Sequence, residues 1–203
     1  IEDFIKDVDD ASWGVFMPAN VTKDLFWKLL KYYDEDVVIG AGLRIRRLAR
    51  AADELPPTRR VQRIAEIFSH FRNPDKETVL TPWRVVNMHM GDIIGGYSFY
   101  AEGWSHDDIL EEPRLIDNGD VTADLFLNPD VKILEMNSKS GLYPLYLAYS
   151  IYAMKLPAPE NTLPLEETQR LWRETLSDNI FVLCMTTMAQ CITRRTLAGY
   201  NDG

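Results

Sequence analysis

Cysteine and histidine are scarce in this chain. Two cysteines, Cys184 and Cys191, occur in 203 residues, with no C-x-x-C or paired Cys/His spacing. Neither a disulfide framework nor a zinc site is therefore suggested, and both are expected to be reduced, buried thiols. The three histidines, His70, His89 and His106, are far apart and none belongs to H-E-x-x-H or a related ligand spacing. Each reads as a surface or packed histidine, and no metal is expected. The nucleophile elbow G-x-S-x-G is missing, as are the phosphate loop G-x-x-x-x-G-K-[ST] and the dinucleotide motif G-x-G-x-x-G. Ser138 and Ser140 are nucleophile types, but nothing places a base beside either one. Long apolar runs are missing too: charge interrupts them well short of the roughly 20 residues that span a bilayer. The opening IEDFIKDVDD lacks the basic-then-apolar order of a signal peptide. A soluble, cytoplasmic protein is the expectation. No internal repeat or low-complexity tract is present.

What remains is sizeable. With 46% hydrophobic residues, the chain is long enough for one medium domain, or one domain with an extension, around a real core. Net charge is −9, which argues against a freestanding nucleic-acid binder that relies on phosphate neutralisation. The charge is uneven, however. Arg44, Arg46, Arg47, Arg50, Arg59, Arg60 and Arg63 crowd one short stretch, while acids dominate the beginning and residues 102–130. Such a run is either a solvated helix face or a local phosphate-contacting surface.

The first eighty residues read as packing helices. Thr22 can cap a segment whose Leu25, Phe26, Leu29 and Leu30 recur at helical spacing. A second helix is predicted from Asp36 to Leu55, stopped by Pro56-Pro57, and a third from Thr58 to Phe71. Asn73-Pro74-Asp75 is a turn signal. Thr81-Pro82 then looks like a helix start, hydroxyl as N-cap and proline first in the helix, with Gly95-Gly96 to end it. Residues 97–129 show little periodicity and read as an irregular connection with one short helix around Asp120 to Leu127.

The last third changes character. A strand from Val131 to Glu135, an amphipathic helix from Leu142 to Met154, a proline-rich linker, a helix from Leu165 to Leu176, a strand from Ile180 to Cys184 and a helix from Met188 to Leu197 are the beginning of a parallel βαβ arrangement. The fold class expected is α/β with a largely helical N-terminal part. The organisation expected is a helical segment at 1–76 followed by a second domain from 77 to 203.

The turn at 135–141 is where a ligand could bind. At the carboxyl end of a parallel strand, a turn into a helix exposes backbone N–H groups and the positive end of the helix dipole, about half a charge. A carboxylate or phosphate is stabilised there. Gly141 allows φ values closed to other residues and close approach of a ligand, and Glu135 can bind an amino or hydroxyl group. An ordinary βα connection with one helpful glycine is the alternative.

Two stretches together carry a resemblance. Thr81-Pro82-Trp83-Arg84-Val85-Val86-Asn87-Met88 resembles T-P-x-x-V-V-x-x-M, and Ile133 to Tyr143 resembles I-L-D-P-x-x-G-S-G-x-F. The first precedes, and the second is, the S-adenosylmethionine motif of adenine-specific DNA methyltransferases of type II restriction-modification systems, in particular the methylase-plus-restriction enzymes. Asn179 to Cys184 resembles the next strand of that family. The resemblance covers roughly residues 77–200 and implies an incomplete Rossmann-like methyltransferase fold, with S-adenosylmethionine as cofactor and double-stranded DNA as partner of the intact protein. It implies a cofactor site at Thr81, Pro82, Glu135, Met136, Asn137, Ser138, Lys139 and Gly141. The remainder of the chain, or a restriction or specificity subunit, would be a further partner.

The departures are specific. Lys139 stands where the family has its first glycine, and Cys184-Met185-Thr186-Thr187 replaces the acid that holds the ribose hydroxyls. The Asn-Pro-Pro-aromatic loop that receives the flipped adenine is missing: Asn73-Pro74-Asp75 and Asn128-Pro129-Asp130 read as turns. The chain is therefore expected to be an amino-terminal fragment, inactive alone, with no catalytic residue of its own. The other reading is a non-catalytic assembly or DNA-positioning module with a degenerate cofactor site and arginine-rich helices on a partner or phosphates.

Overall fold

The computed structural model describes residues 2–71, 80–104 and 109–201, so His106 and the Asn73-Pro74-Asp75 signal lie outside the described residues. The chain is mixed α/β, 64% helical, with two small two-stranded sheets among the described residues. It divides into two compact units, Ile1–Leu48 and Ala49–Gly203. No helix of the described residues is long and apolar enough to cross a membrane.

The first unit is helical. α1 (Glu2–Asp7) is followed by α2 (Asp10–Phe16), which starts where the Asp9 carboxylate accepts from Ser12 N at 2.8 Å. α3 (Lys23–Leu29) starts at Thr22, whose hydroxyl accepts from Leu25 N at 3.2 Å, as the sequence predicts. Trp13 ties the two together: its indole N–H donates to Val21 O at 2.8 Å and its ring meets Phe26 edge-on at 5.5 Å. α4 (Glu35–Ala52) begins in this unit and ends in the second; the Asp34 carboxylate caps it by accepting from Val37 N.

In the second unit α5 (Pro57–Ser69) begins with two prolines, and the carboxylate that caps it is remote: Glu160 Oε1 accepts from Thr58 N at 3.1 Å. α6 (Trp83–Ile94) starts one residue later than predicted. Pro82, extended at φ −60° and ψ 147°, is the N-cap residue, its carbonyl accepting from Val86 N, and the Thr81 hydroxyl makes no cap. Gly95 and Gly96, both at positive φ, end the helix, and Thr122 and Ser150 occupy the space a Cβ would need there. The connection that follows is less irregular than its sequence suggests. β1 (Gly96–Ser98) pairs antiparallel with β2 (Arg114–Ile116), and Tyr97 N donates to Ser150 Oγ. Strands of three residues are too short for a two-residue period to show. α7 (Asp120–Thr122) continues into a π-turn over Ala123–Leu127.

β3 (Ile133–Met136) and β4 (Ile180–Leu183) form the parallel pair in the register Ile133↔Ile180 to Met136↔Leu183. Between them run α8 (Leu142–Lys155) and α9 (Leu165–Asn179), and α10 (Thr187–Ala198) follows β4. α8 is not amphipathic as expected: ten of its fourteen residues are buried, so it is a core helix rather than a face. Its tyrosines survive burial because each hydroxyl has a partner. Tyr146 donates to Gly95 O, Tyr149 meets Thr58 Oγ1, and Tyr152 donates to Glu160 Oε1. Rings of Trp83, Phe99 and Trp172 pack against them.

Candidate functional site

The carboxyl end of β3 is fixed from one side. Ser138 N donates to Leu183 O at 3.0 Å, extending the parallel ladder one step beyond the strand. The buried Ser138 hydroxyl meets Thr193 Oγ1 at 3.1 Å, and Thr196 Oγ1 donates to Ser140 O at 2.8 Å, so α10 grips the turn through two threonines one helical turn apart. Asn137 at φ 67° and Gly141 at φ 80° both adopt left-handed backbone. A Cβ on Gly141 would come within 3.1 Å of Thr193 Cα and Thr196 Cβ. This corrects the reason for the glycine: α10, not a ligand, makes the close approach. The partners that hold the turn were invisible locally, since Ser138 and Thr193 are 55 residues apart. The Thr-x-x-Thr spacing of α10 is the signal that could have pointed to them.

The other side of the turn is open. Met136, Asn137 and Lys139 are exposed, and Lys139 makes no ion pair with the described residues. Glu135 is half-buried beside Val182, without a hydrogen bond or ion pair to the described residues. Burial pushes its carboxyl pKa above the usual range. α8 starts from Gly141 without a side-chain cap from that residue. Ser140 Oγ takes Leu142 N at a long 3.4 Å, Tyr143 N has no partner among the described residues, and Pro144 has no N–H. A partly dehydrated carboxylate and an under-capped helix N-terminus therefore lie at the same strand end. The first suits an ammonium or hydroxyl donor, the second an anion.

α6 reaches this end through His89, which its sequence context leaves as a surface or packed histidine. His89 Nδ1 is 3.2 Å from the Tyr143 hydroxyl, and their rings meet edge-on. Thr81 is half-buried and Pro82 exposed at the start of α6, and no hydrogen bond joins either to the turn. After β4, Thr186 is occupied as the cap of α10, accepting from Ala189 N at 3.1 Å, while Met185 is exposed.

The seven arginines have different surroundings. Arg44, Arg46, Arg47 and Arg50 are exposed on α4 without an ion pair among the described residues. Arg59 is exposed on α5 and donates to Gln62, and Arg63 pairs with Glu66 at 2.7 Å. Arg60 is the correction. At 5% exposure it pairs with Asp53 and donates to the carbonyls of Thr196 and Arg195, which closes the end of α10. Arg60 shares a helical stripe with Ile64 and Ile67, so its place in the packed face follows from its spacing. It is a structural residue, buried and held through all three of its guanidinium nitrogens by Asp53 and the end of α10. Among the described residues no group of three or more His, Cys, Asp or Glu side chains is placed to hold a metal. Compared with family models, with curated proteins and with solved structures, the chain matches none.

Proposed function

We propose that the chain is the cofactor-binding beginning of an adenine-specific DNA methyltransferase, as its two motifs suggest. The intact protein would move the sulfonium methyl of S-adenosylmethionine to an adenine amino group. The parallel pair with its crossover helices would be the start of a Rossmann-like sheet. One observation carries the reading: a half-buried Glu135, without an ion pair among the described residues, and the under-capped start of α8 lie together at the carboxyl end of a parallel strand. That donor set fits a zwitterion. The carboxylate is suited to the amino group of the methionine moiety, and the Tyr143 N–H at the positive end of α8 to its carboxylate. The transferred methyl is the cofactor's chemistry. The chain's own part is to bind and orient the donor.

A second reading has its own observation. Gly141 is used up in packing on α10, and the exposed Lys139 ammonium replaces the glycine of the motif, which fits a module that keeps the turn's shape without its ligand. Calorimetric titration with S-adenosylmethionine separates the two. Saturable binding, weakened at least tenfold by Glu135→Gln, is the result expected. No heat up to millimolar concentration, or unchanged affinity in the variant, sinks the cofactor reading. Gly141→Val is the poorer test, because its side chain meets α10 before it meets any ligand.

A further inference from the structure

The exposed half of α4 is built unlike a helix that only packs. Residues 35–44 are exposed on every side of the helix, Val37 at 65% and Leu43 at 61%. Gly40 and Gly42 lie in its middle, and a Cβ on either would meet nothing within 4 Å. Each glycine weakens an isolated helix by about 1 kcal/mol relative to alanine. Nothing in the packing requires them, whereas a ligand approaching the backbone closely would.

Beside these glycines stand Arg44, Arg46, Arg47 and Arg50. Arg44 and Arg47 are three residues apart and Arg46 and Arg50 four, so they form neighbouring ridges on one side of the helix. Complementing the helix dipole accounts for Arg50 in the last turn, but not for the three further in. None has an ion pair among the described residues, although acids outnumber bases 31 to 22 in the chain. All four are arginines, whose planar fork grips phosphate oxygens in pairs.

We propose that this side of α4 is a sequence-independent binding surface for the phosphate backbone of double-stranded DNA. It rests on the DNA partner named above but not on the cofactor site. An anionic membrane fits less well. No aromatic residue lies between 35 and 52, Glu35 and Asp36 occupy the first turn, and the exposed apolar residues include Ile39 and Leu43 on the arginine side, so no single face could enter a bilayer.

The test is fluorescence anisotropy of the full chain with a labelled duplex of arbitrary sequence, from about 50 to 200 mM salt. Anionic vesicles and poly-glutamate form parallel arms. Wild type should bind the duplex with an affinity that falls steeply with salt. The Arg44→Ala/Arg46→Ala/Arg47→Ala variant should flatten the log–log slope by about 0.9 for each phosphate it no longer neutralises, about 2.7 for three. Its heat-unfolding midpoint should stay close to wild type, showing that the fold is retained. A flat salt response of wild type overturns the proposal without recourse to any variant. So does an unchanged slope in the triple variant, or binding to vesicles or poly-glutamate but not to duplex. Wild type that binds S-adenosylmethionine but not the duplex removes this surface alone, and wild type that binds the duplex but not S-adenosylmethionine removes the cofactor site alone.

Discussion

α4 and α8 are both long helices with apolar middles, yet one is surrounded by solvent along residues 35–44 and the other is buried along nearly its whole length. The difference lies in side-chain size and charge rather than in apolar count. Residues 142–154 of α8 include four tyrosines and three leucines and no charged residue, so every face can bury area and each tyrosine hydroxyl finds a polar partner. α4 interleaves its valines, isoleucines and leucines with glycine, alanine and arginine and carries no aromatic ring, so it offers less bulk and more charge. Hydrophobicity along a helix therefore says that it can be buried; bulk and the polar partners waiting for it decide whether it is.

Substitutions at matched positions break this comparison most sharply. Tyr146→Ala removes a fully buried ring and orphans Gly95 O, and should cost about 3–5 kcal/mol in chemical denaturation. Val37→Ala on α4 should fall within about 0.5 kcal/mol of wild type. A comparable loss in both would mean that α4 is packed after all. Where α4 ends, solvent exposure gives way to a buried ion pair. Asp53 pairs with Arg60 at 3.3 Å and also accepts from Tyr200 N and Asn201 N. Asp53→Ala leaves a buried guanidinium uncompensated and should cost about 3–5 kcal/mol, whereas Arg50→Ala, one turn earlier and exposed, should cost little.

The glycines of the two helices should respond with opposite signs. Gly141→Ala places a Cβ against Thr193 and Thr196 at a φ that L-residues avoid, and should destabilise by about 2 kcal/mol. Gly42→Ala in open space should stabilise by about 1 kcal/mol. A glycine's neighbours, not its presence in a helix, set the sign.

This limit also separates what the sequence made legible from what it did not. Local signals were read within a few residues: the Thr22 cap, the stop at Gly95-Gly96, and the ends of β3, α8, α9 and β4. The parallel direction of β3 and β4 followed from the helices between them. What failed depended on distant partners. Glu160 caps α5 from 102 residues away, Ser150 receives Tyr97 N to help fix β1, and α10 claims the space beside Gly141. Arg60 was the exception, because its stripe was readable and the surrounding arginines drew attention from it. The turn's position was legible, and the use of its glycine was not.

The entrances of the two helices give the smallest expected effect. α4 enters under the exposed Asp34 cap, while α8 is entered past Glu135, half-buried and without an ion pair among the described residues. Because burial raises the folded-state pKa of Glu135, the unfolded chain releases that proton more readily than the folded one. Protonated Glu135 escapes the larger penalty of burying a charge, so its relative contribution is most favourable below the ordinary carboxylate value and is lost as pH rises through the raised one. Glu135→Gln should thus stabilise the protein at neutral pH, and the gain should fade as pH falls into the carboxylate range. Denaturation of both proteins across that range checks it, and a difference independent of pH would place the carboxylate in water. If the same variant also binds S-adenosylmethionine more weakly, the cost of dehydrating Glu135 is the cost of holding a cation there.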